Sequence, residues 1–139
     1  MAPNELELLN WLLERGLPEA KSFAHQVERI RASRWCTCGC PSISLHVEEN
    51  VPTGTCSQSV ISDFVGLTPD GKKCGVLLFQ KAGKLILLEA YQQDPIDGTW
   101  GFPVISSLQR FEDVGQVFVK DPQTGRFIQS NSQFRKDSC

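Results

Sequence analysis

The stretch from Val60 to Tyr91, VISDFVGLTPDGKKCGVLLFQKAGKLILLEAY, decides the fold of this chain. Two runs within it, Val76–Phe79 and Leu85–Leu88, are apolar on consecutive residues, which is typical of strands covered on both faces. Turn-forming residues at Pro69–Gly71 and Ala82–Gly83 separate three such strands. The stretch therefore predicts an antiparallel meander of three interior strands.

Two amphipathic helices are predicted before this meander. Leucines recur at helical spacing from Leu6 to Leu13, and Gly16 supplies a stop signal. Pro18 suits the first turn of a second helix, in which apolar residues at three- and four-residue intervals continue to Ile30. We expect this helix to end near Arg34, because the helix dipole favours arginines at a carboxyl end.

The remaining elements complete an α+β domain. Ile43–Val47 alternates apolar and polar residues, as a strand with one buried face does, and the chain around 116–129 resembles a terminal hairpin. We expect two N-terminal helices packed on one face of a mostly antiparallel four- to five-stranded sheet, with a C-terminal hairpin at its edge. The expected boundaries are a helical hairpin over 1–34, the sheet over 35–103, the added hairpin over 104–129 and a flexible tail over 130–139.

Composition argues against several classes of partner. The chain has 139 residues, a net charge of −2 and a pI of about 5.7, so its overall charge recruits neither nucleic acid nor an anionic membrane. It begins without the pattern of a signal peptide, and no segment approaches the ~18 apolar residues of a membrane span. We therefore expect a cytoplasmic protein. Thiols stay reduced in that compartment, so the six cysteines do not predict a disulfide framework.

Three of these cysteines form the sharpest local pattern, the C-x-C-x-C run at Cys36, Cys38 and Cys40. Soft thiolates at this spacing could hold part of a zinc site. If the chain stays extended, His46 would project from the same face as the three cysteines and could be a further ligand. Cys56 or Cys74 could supply the fourth ligand instead. The run lacks the usual paired C-x₂₋₄-C spacing of zinc sites, and cysteines are often simply buried, so packing, metal binding and thiol-redox chemistry all remain open.

An aromatic segment, Trp100-Gly101-Phe102-Pro103, is the candidate binding surface. If Trp100 and Phe102 are exposed, they would anchor a protein partner, since tryptophan is enriched at binding hot spots. If they fold back, they would fill one end of the core. The sequence does not choose between these two placements.

Catalytic motifs are not evident. The glycine and lysine spacing of Gly66–Lys73 resembles a phosphate loop, but Lys73 occupies the magnesium-ligand position, Pro69 removes an N–H, and a strand follows instead of a helix. Asp63 and Glu89 interrupt apolar strands. Buried carboxylates there would have raised pKa values, but we favour the interpretation that they mark solvent-facing strand ends. These observations favour a protein that is not an enzyme.

The elements Cys38–Ser42 and Leu77–Tyr91 together resemble a set of small bacterial proteins of unassigned function. Those proteins carry a C-G-C-P-S element before a strand and a later L-L-x₄-G-x-L-x₂-L-E-x-Y hairpin. The resemblance covers about the first two thirds of the chain and implies a small soluble α+β protein, without implying catalytic residues. We expect a non-enzymatic protein-interaction module, with an immunity-like role by association, or else a metal-binding or thiol-redox protein that uses the cysteine run.

Overall fold

The computed structural model describes residues 1–48 and 58–112, together with the backbone of 118–120 and 127–129. Two long helices, a short 3₁₀ helix at Ile105–Ser107 and a six-stranded antiparallel sheet give the described residues an α+β arrangement. The long helices are α1, Pro3–Arg15, and a 3₁₀ helix, Pro18–Arg29, called the second helix below. The strands of the sheet are β1, Ile30–Arg34; β2, Ile43–Val47; β3, Gln58–Leu67; β4, Lys73–Lys81; β5, Lys84–Gln92; and β6, Gln109–Arg110.

The predicted meander forms the centre of the sheet. The strand order is β1-β2-β5-β4-β3-β6 and each pairing is antiparallel. Gly71 N donates to Thr68 O at 2.8 Å in the first turn, and Ala82 and Gly83 form the second with φ values of 52° and 81°. The expected count of four to five strands was too low, because β1 and β6 add one short strand at each edge. A strand of two residues, such as β6, is too short to show a periodicity in the sequence.

The second helix ends earlier than its sequence pattern predicts. It stops at Arg29, and the residues expected to continue it form β1, which pairs with β2 from Ile30 opposite Val47 to Arg34 opposite Ile43. A 3₁₀ helix has three residues per turn, so residues three apart share a face. Gln26 is therefore buried on the same side as Ala20, and its side chain holds the β4–β5 turn by bonds to Gly83 O at 2.7 Å and Leu85 N at 3.0 Å.

Both helices lie on one face of the sheet, as expected. Four leucines of α1 are at most 2% exposed, and they pack against the strands in one continuous core. The helical members of this core are Leu8, Leu9, Leu12, Leu13 and Ala20, and the strand members include Ile43, Leu45, Ile61, Phe64, Val76, Leu78, Leu85 and Leu88.

The opposite face of the central strands carries a smaller apolar cluster. Leu77, Phe79 and Leu87 are each less than 10% exposed there, so β4 is covered on both faces, as the consecutive apolar run predicts. The ring of Tyr91 lies directly over Gly75, because a Cβ at Gly75 would fall 2.1 Å from the ring carbon Cζ. The absence of a side chain at Gly75 thus lets the Tyr91 ring pack closely against β4.

The predicted terminal hairpin corresponds to two short strands, β7, Phe118–Lys120, and β8, Phe127–Gln129. They pair antiparallel as a separate two-stranded sheet instead of extending the edge of the main one. The expected flexible tail over 130–139 and the candidate ligand Cys56 lie outside the described residues. No helix in the described part of the chain is long and apolar enough to cross a membrane.

Candidate metal centre

The cysteine run forms the loop of the β1–β2 hairpin. The two strands close with Arg34 opposite Ile43, and Trp35 N then donates to Ser42 O at 3.2 Å. The chain between them reverses at Gly39, whose φ of +99° is a conformation that residues with a Cβ rarely adopt. The run is therefore curled, and the extended geometry considered from the sequence does not occur.

A distant segment holds this loop in place. Trp100 N donates to Gly39 O at 3.1 Å, so the backbone after β5 is fixed against the cysteine loop. The two backbones also approach closely, since a Cβ at Gly39 would lie 2.6 Å from Gly98 O. Gly39 thus satisfies two requirements, a positive φ and contact with a second backbone.

The curled loop brings three sulfur atoms together. Cys36 Sγ lies 2.6 Å from Cys38 Sγ and 3.0 Å from Cys40 Sγ. All three sulfurs lie within 4.8 Å of one another, which is close enough to hold a metal ion. Cys40 N also donates to Cys38 Sγ at 3.5 Å.

Cys36 and Cys40 differ in their pKa values. Hydrogen bonds from Cys36 to the sulfurs of Cys38 and then Cys40 raise the pKa of Cys36 from 9.0 to about 11. Burial alone would raise the pKa of Cys40, but its hydrogen bonds with Cys36 and then with Ser42 outweigh burial and lower that pKa to about 7. Cys40 is therefore the preferred site for the negative charge, which its neighbours share through hydrogen bonds.

The donor set fits a thiophilic ion such as zinc. Zinc binds thiolate sulfur at ~2.3 Å, so two sulfurs of a tetrahedral site are ~3.8 Å apart. The Cys36 sulfur would have to move about 1 Å away from its neighbours to reach that spacing, a shift within the range of a side-chain rotation. Cys38 is exposed and the other two are half-buried, so an ion can reach the loop from solvent.

The other candidate ligands are not part of this group. His46 lies near the far end of β2, where its Nε2 is 3.1 Å from Ser33 Oγ on the exposed surface of the hairpin. Cys74 is fully buried in β4, and burial raises its pKa to about 11. The Ser33–His46 contact resembles a nucleophile and base, but it is exposed, and within 1–48 and 58–112 no hydrogen bond of an acid to His46 is seen that would orient the ring.

The aromatic residues considered as partner anchors are half-buried. Phe102 packs against the main core, which matches the second of its two predicted placements. Trp100 lines a surface cavity of about 480 Å³ together with Cys40 and Arg34. Trp35, which was not among the predicted anchors for a protein partner, is 51% exposed beside the cysteines.

A carboxylate in β3 is more buried than the sequence interpretation allows. Asp63 lies inside β3 and is half-buried, so the prediction that it marks a solvent-facing strand end is wrong. Its Oδ1 is buried, and so is Tyr91 Oη on β5; neither atom has a hydrogen-bond partner within the described part of the chain. Burial, and secondarily the charge of Glu112, raise the pKa of Asp63 from 3.8 to about 6. The interrupted apolar pattern of β3 was the signal, and its other interpretation, a buried carboxylate, was the correct one.

Comparison with known proteins does not assign this chain to a family. No family model matches the chain, and no curated protein or solved structure is significantly similar to it.

Proposed function

We propose that this protein binds one thiophilic metal ion, with zinc as the principal candidate, on the sulfurs of Cys36, Cys38 and Cys40. The observation that supports the proposal is the convergence of three sulfurs within 4.8 Å in a single hairpin loop. Thiolates are the ligands that zinc and other soft ions prefer. The fourth position is taken by water or by a group outside the described residues.

Packing alone explains this loop less well. Structural cysteines are generally buried among apolar side chains, whereas Cys38 is exposed and contacts a sulfur and a backbone N–H. Three polarisable acceptors in mutual contact are unfavourable when they ionise together, unless a cation lies between them. A bound divalent ion would remove this repulsion and fix the β1–β2 hairpin.

Cobalt(II) titration of the reduced protein is the direct test. We expect one equivalent to bind, with the near-ultraviolet charge-transfer band of a thiolate complex, and zinc to displace it. Cys36→Ser, Cys38→Ser and Cys40→Ser should each weaken binding roughly 100-fold or more, because each removes a ligand. Cys74→Ala is the matched control, because it removes a thiol that lies outside the cluster.

Two results would contradict the proposal. One is a protein that gives no charge-transfer band at stoichiometric cobalt. The other is unchanged affinity when all three loop cysteines are replaced. If metal does not bind but the loop thiols disappear in pairs under mild oxidation, thiol-redox chemistry becomes the better account of the cluster.

A protein-interaction module is the second candidate, and the exposure of Trp35 favours it. This tryptophan is 51% exposed and follows β1, an edge strand whose outer backbone groups have no strand partner in the described part of the chain. An immunity-like role would belong to this candidate. Affinity capture from the native host should recover a partner that Trp35→Ala loses and Leu67→Ala, which alters another exposed side chain, retains. Capture of no partner, or capture indifferent to Trp35→Ala, would count against it.

A further inference from the structure

A cavity of about 900 Å³ lies beside β3, away from the cysteine loop. The short strand β6 pairs with β3 only at Phe64 and Val65, so Gln58–Asp63 has no strand neighbour on that side among the described residues. The end of α1 and the start of the second helix form one wall, and Phe111 closes another, where its N donates to Asp63 O at 3.2 Å. The volume is in the range of small-molecule sites.

The walls of this cavity are mainly apolar and partly aromatic. Leu17 and Val60 contribute aliphatic surface, and Phe64, Phe79 and Phe111 contribute rings. Aromatic faces attract cations as well as apolar groups. The cavity therefore offers contacts to the body of an apolar ligand and to a positive head group.

Asp63 is the carboxylate of the lining for which no ion pair is seen among the described residues, although Lys21 also lines the cavity. Glu14 pairs with Arg15 at 3.1 Å, whereas Glu112 lies 4.0 Å from Arg110 in an exposed pair and so retains an effect on its surroundings. Both influences on the Asp63 carboxyl, burial and the Glu112 charge, act against its ionised form. A carboxylate in such a place is stabilised by a ligand that brings a positive N–H donor.

We infer that the cavity beside β3 binds an organic ammonium compound, whose protonated amine pairs with Asp63 and whose apolar body contacts Val60, Phe79 and Phe111. The amine lies beside Asp63, where its charge also offsets the Glu112 charge that acts on this carboxyl. This inference does not depend on the metal site, because the two groups of residues share no member.

Calorimetric titration with three matched indoles tests the inference. Tryptamine carries an ammonium group, tryptophol a hydroxyl group and indole-3-propionate a carboxylate on similar apolar bodies. We expect tryptamine to bind one to one, with the other two at least about tenfold weaker, because a charge-assisted hydrogen bond contributes that much. No binding of tryptamine, or equal binding of all three compounds, would overturn the inference.

Variants locate the ammonium group. Asp63→Asn should weaken tryptamine about tenfold or more and leave tryptophol unchanged, while Asp70→Asn, in the exposed β3–β4 turn, should alter neither. Val60→Trp should fill the cavity and weaken both compounds. Glu112→Gln, which removes an exposed charge that acts on Asp63, is a second test of the same charge effect. Tryptamine binding indifferent to Asp63→Asn and Glu112→Gln would show that the carboxylates do not hold the amine.

Discussion

Replacing Asp63 by asparagine should stabilise the protein at neutral and alkaline pH. The pKa of this carboxyl is about 6 in the folded chain against 3.8 for the free group, because burial and then the Glu112 charge disfavour its ionised form. A shift of about two units corresponds to ~3 kcal/mol at ~1.4 kcal/mol per unit. The carboxyl is only half-buried, so solvent screening reduces the expected gain in the free energy of unfolding to ~1–2 kcal/mol.

The sign of the pH dependence follows from linkage. Below about pH 4 the Asp63 carboxyl is protonated in both states and contributes nothing. Between about pH 4 and 6 the unfolded chain ionises first, so the folded state loses stability as the pH rises, and the full penalty is present above about pH 6. Asparagine lacks this titration. The variant should therefore gain stability at pH 8 and equal the parent protein near pH 3.5.

Urea unfolding at pH 8 and pH 3.5 measures this difference directly. At pH 8 the variant should also melt ~3–7 °C higher, by the usual unfolding entropy of a chain of this size. Asp70→Asn serves as the control, because Asp70 is exposed in the β3–β4 turn, and it should change the stability by less than ~0.5 kcal/mol at both pH values. A loss of stability in Asp63→Asn at pH 8, or a gain of the same size at both pH values, would refute the reasoning.

Three further predictions concern Gly75, Gly39 and the loop cysteines. Gly75→Ala should lower the free energy of unfolding by ~1–3 kcal/mol, because its Cβ would meet the Tyr91 ring at 2.1 Å, and Tyr91→Leu should recover part of this loss in urea titrations. Gly39→Ala should weaken cobalt binding about tenfold, because the loop needs its φ of +99°, whereas Gly71→Ala, also at positive φ but with nothing within 4 Å, should leave binding unchanged. A thiol-reactive dye should modify the loop cysteines of the folded protein and spare the buried Cys74, and zinc should protect the loop cysteines.

The strands of the meander follow from the sequence because their signal is local. Consecutive apolar residues at 76–79 and 85–88 can be satisfied only by strands covered on both faces, and the structure buries β4 in this way. The leucine spacing of α1 is equally local. The apolar pattern of the second helix continues to Ile30, the first residue of β1, so the sequence could not mark the end of the helix at Arg29.

The proximity of the three sulfurs is a different case. In an extended strand, cysteines two residues apart would stand ~7 Å from each other, too far for one ion to hold all three. They converge because Gly39 reverses the chain, and that reversal is held by a bond from Trp100, sixty-one positions later in the sequence. The sequence therefore shows the three cysteines and their spacing, and only the tertiary contact decides the geometry of their sulfurs.

The environment of Asp63 also depends on distant parts of the chain. By itself the sequence determined that an acidic residue interrupts an apolar strand, which fits either a buried or a solvent-facing position. Tertiary structure decided the matter, because β6 pairs with only two residues of β3 and so leaves a cavity at this edge, with Glu112 close to the carboxyl. Local patterns determine which segments become strands and helices, whereas burial and charge at one atom are set by whatever the rest of the chain brings against it.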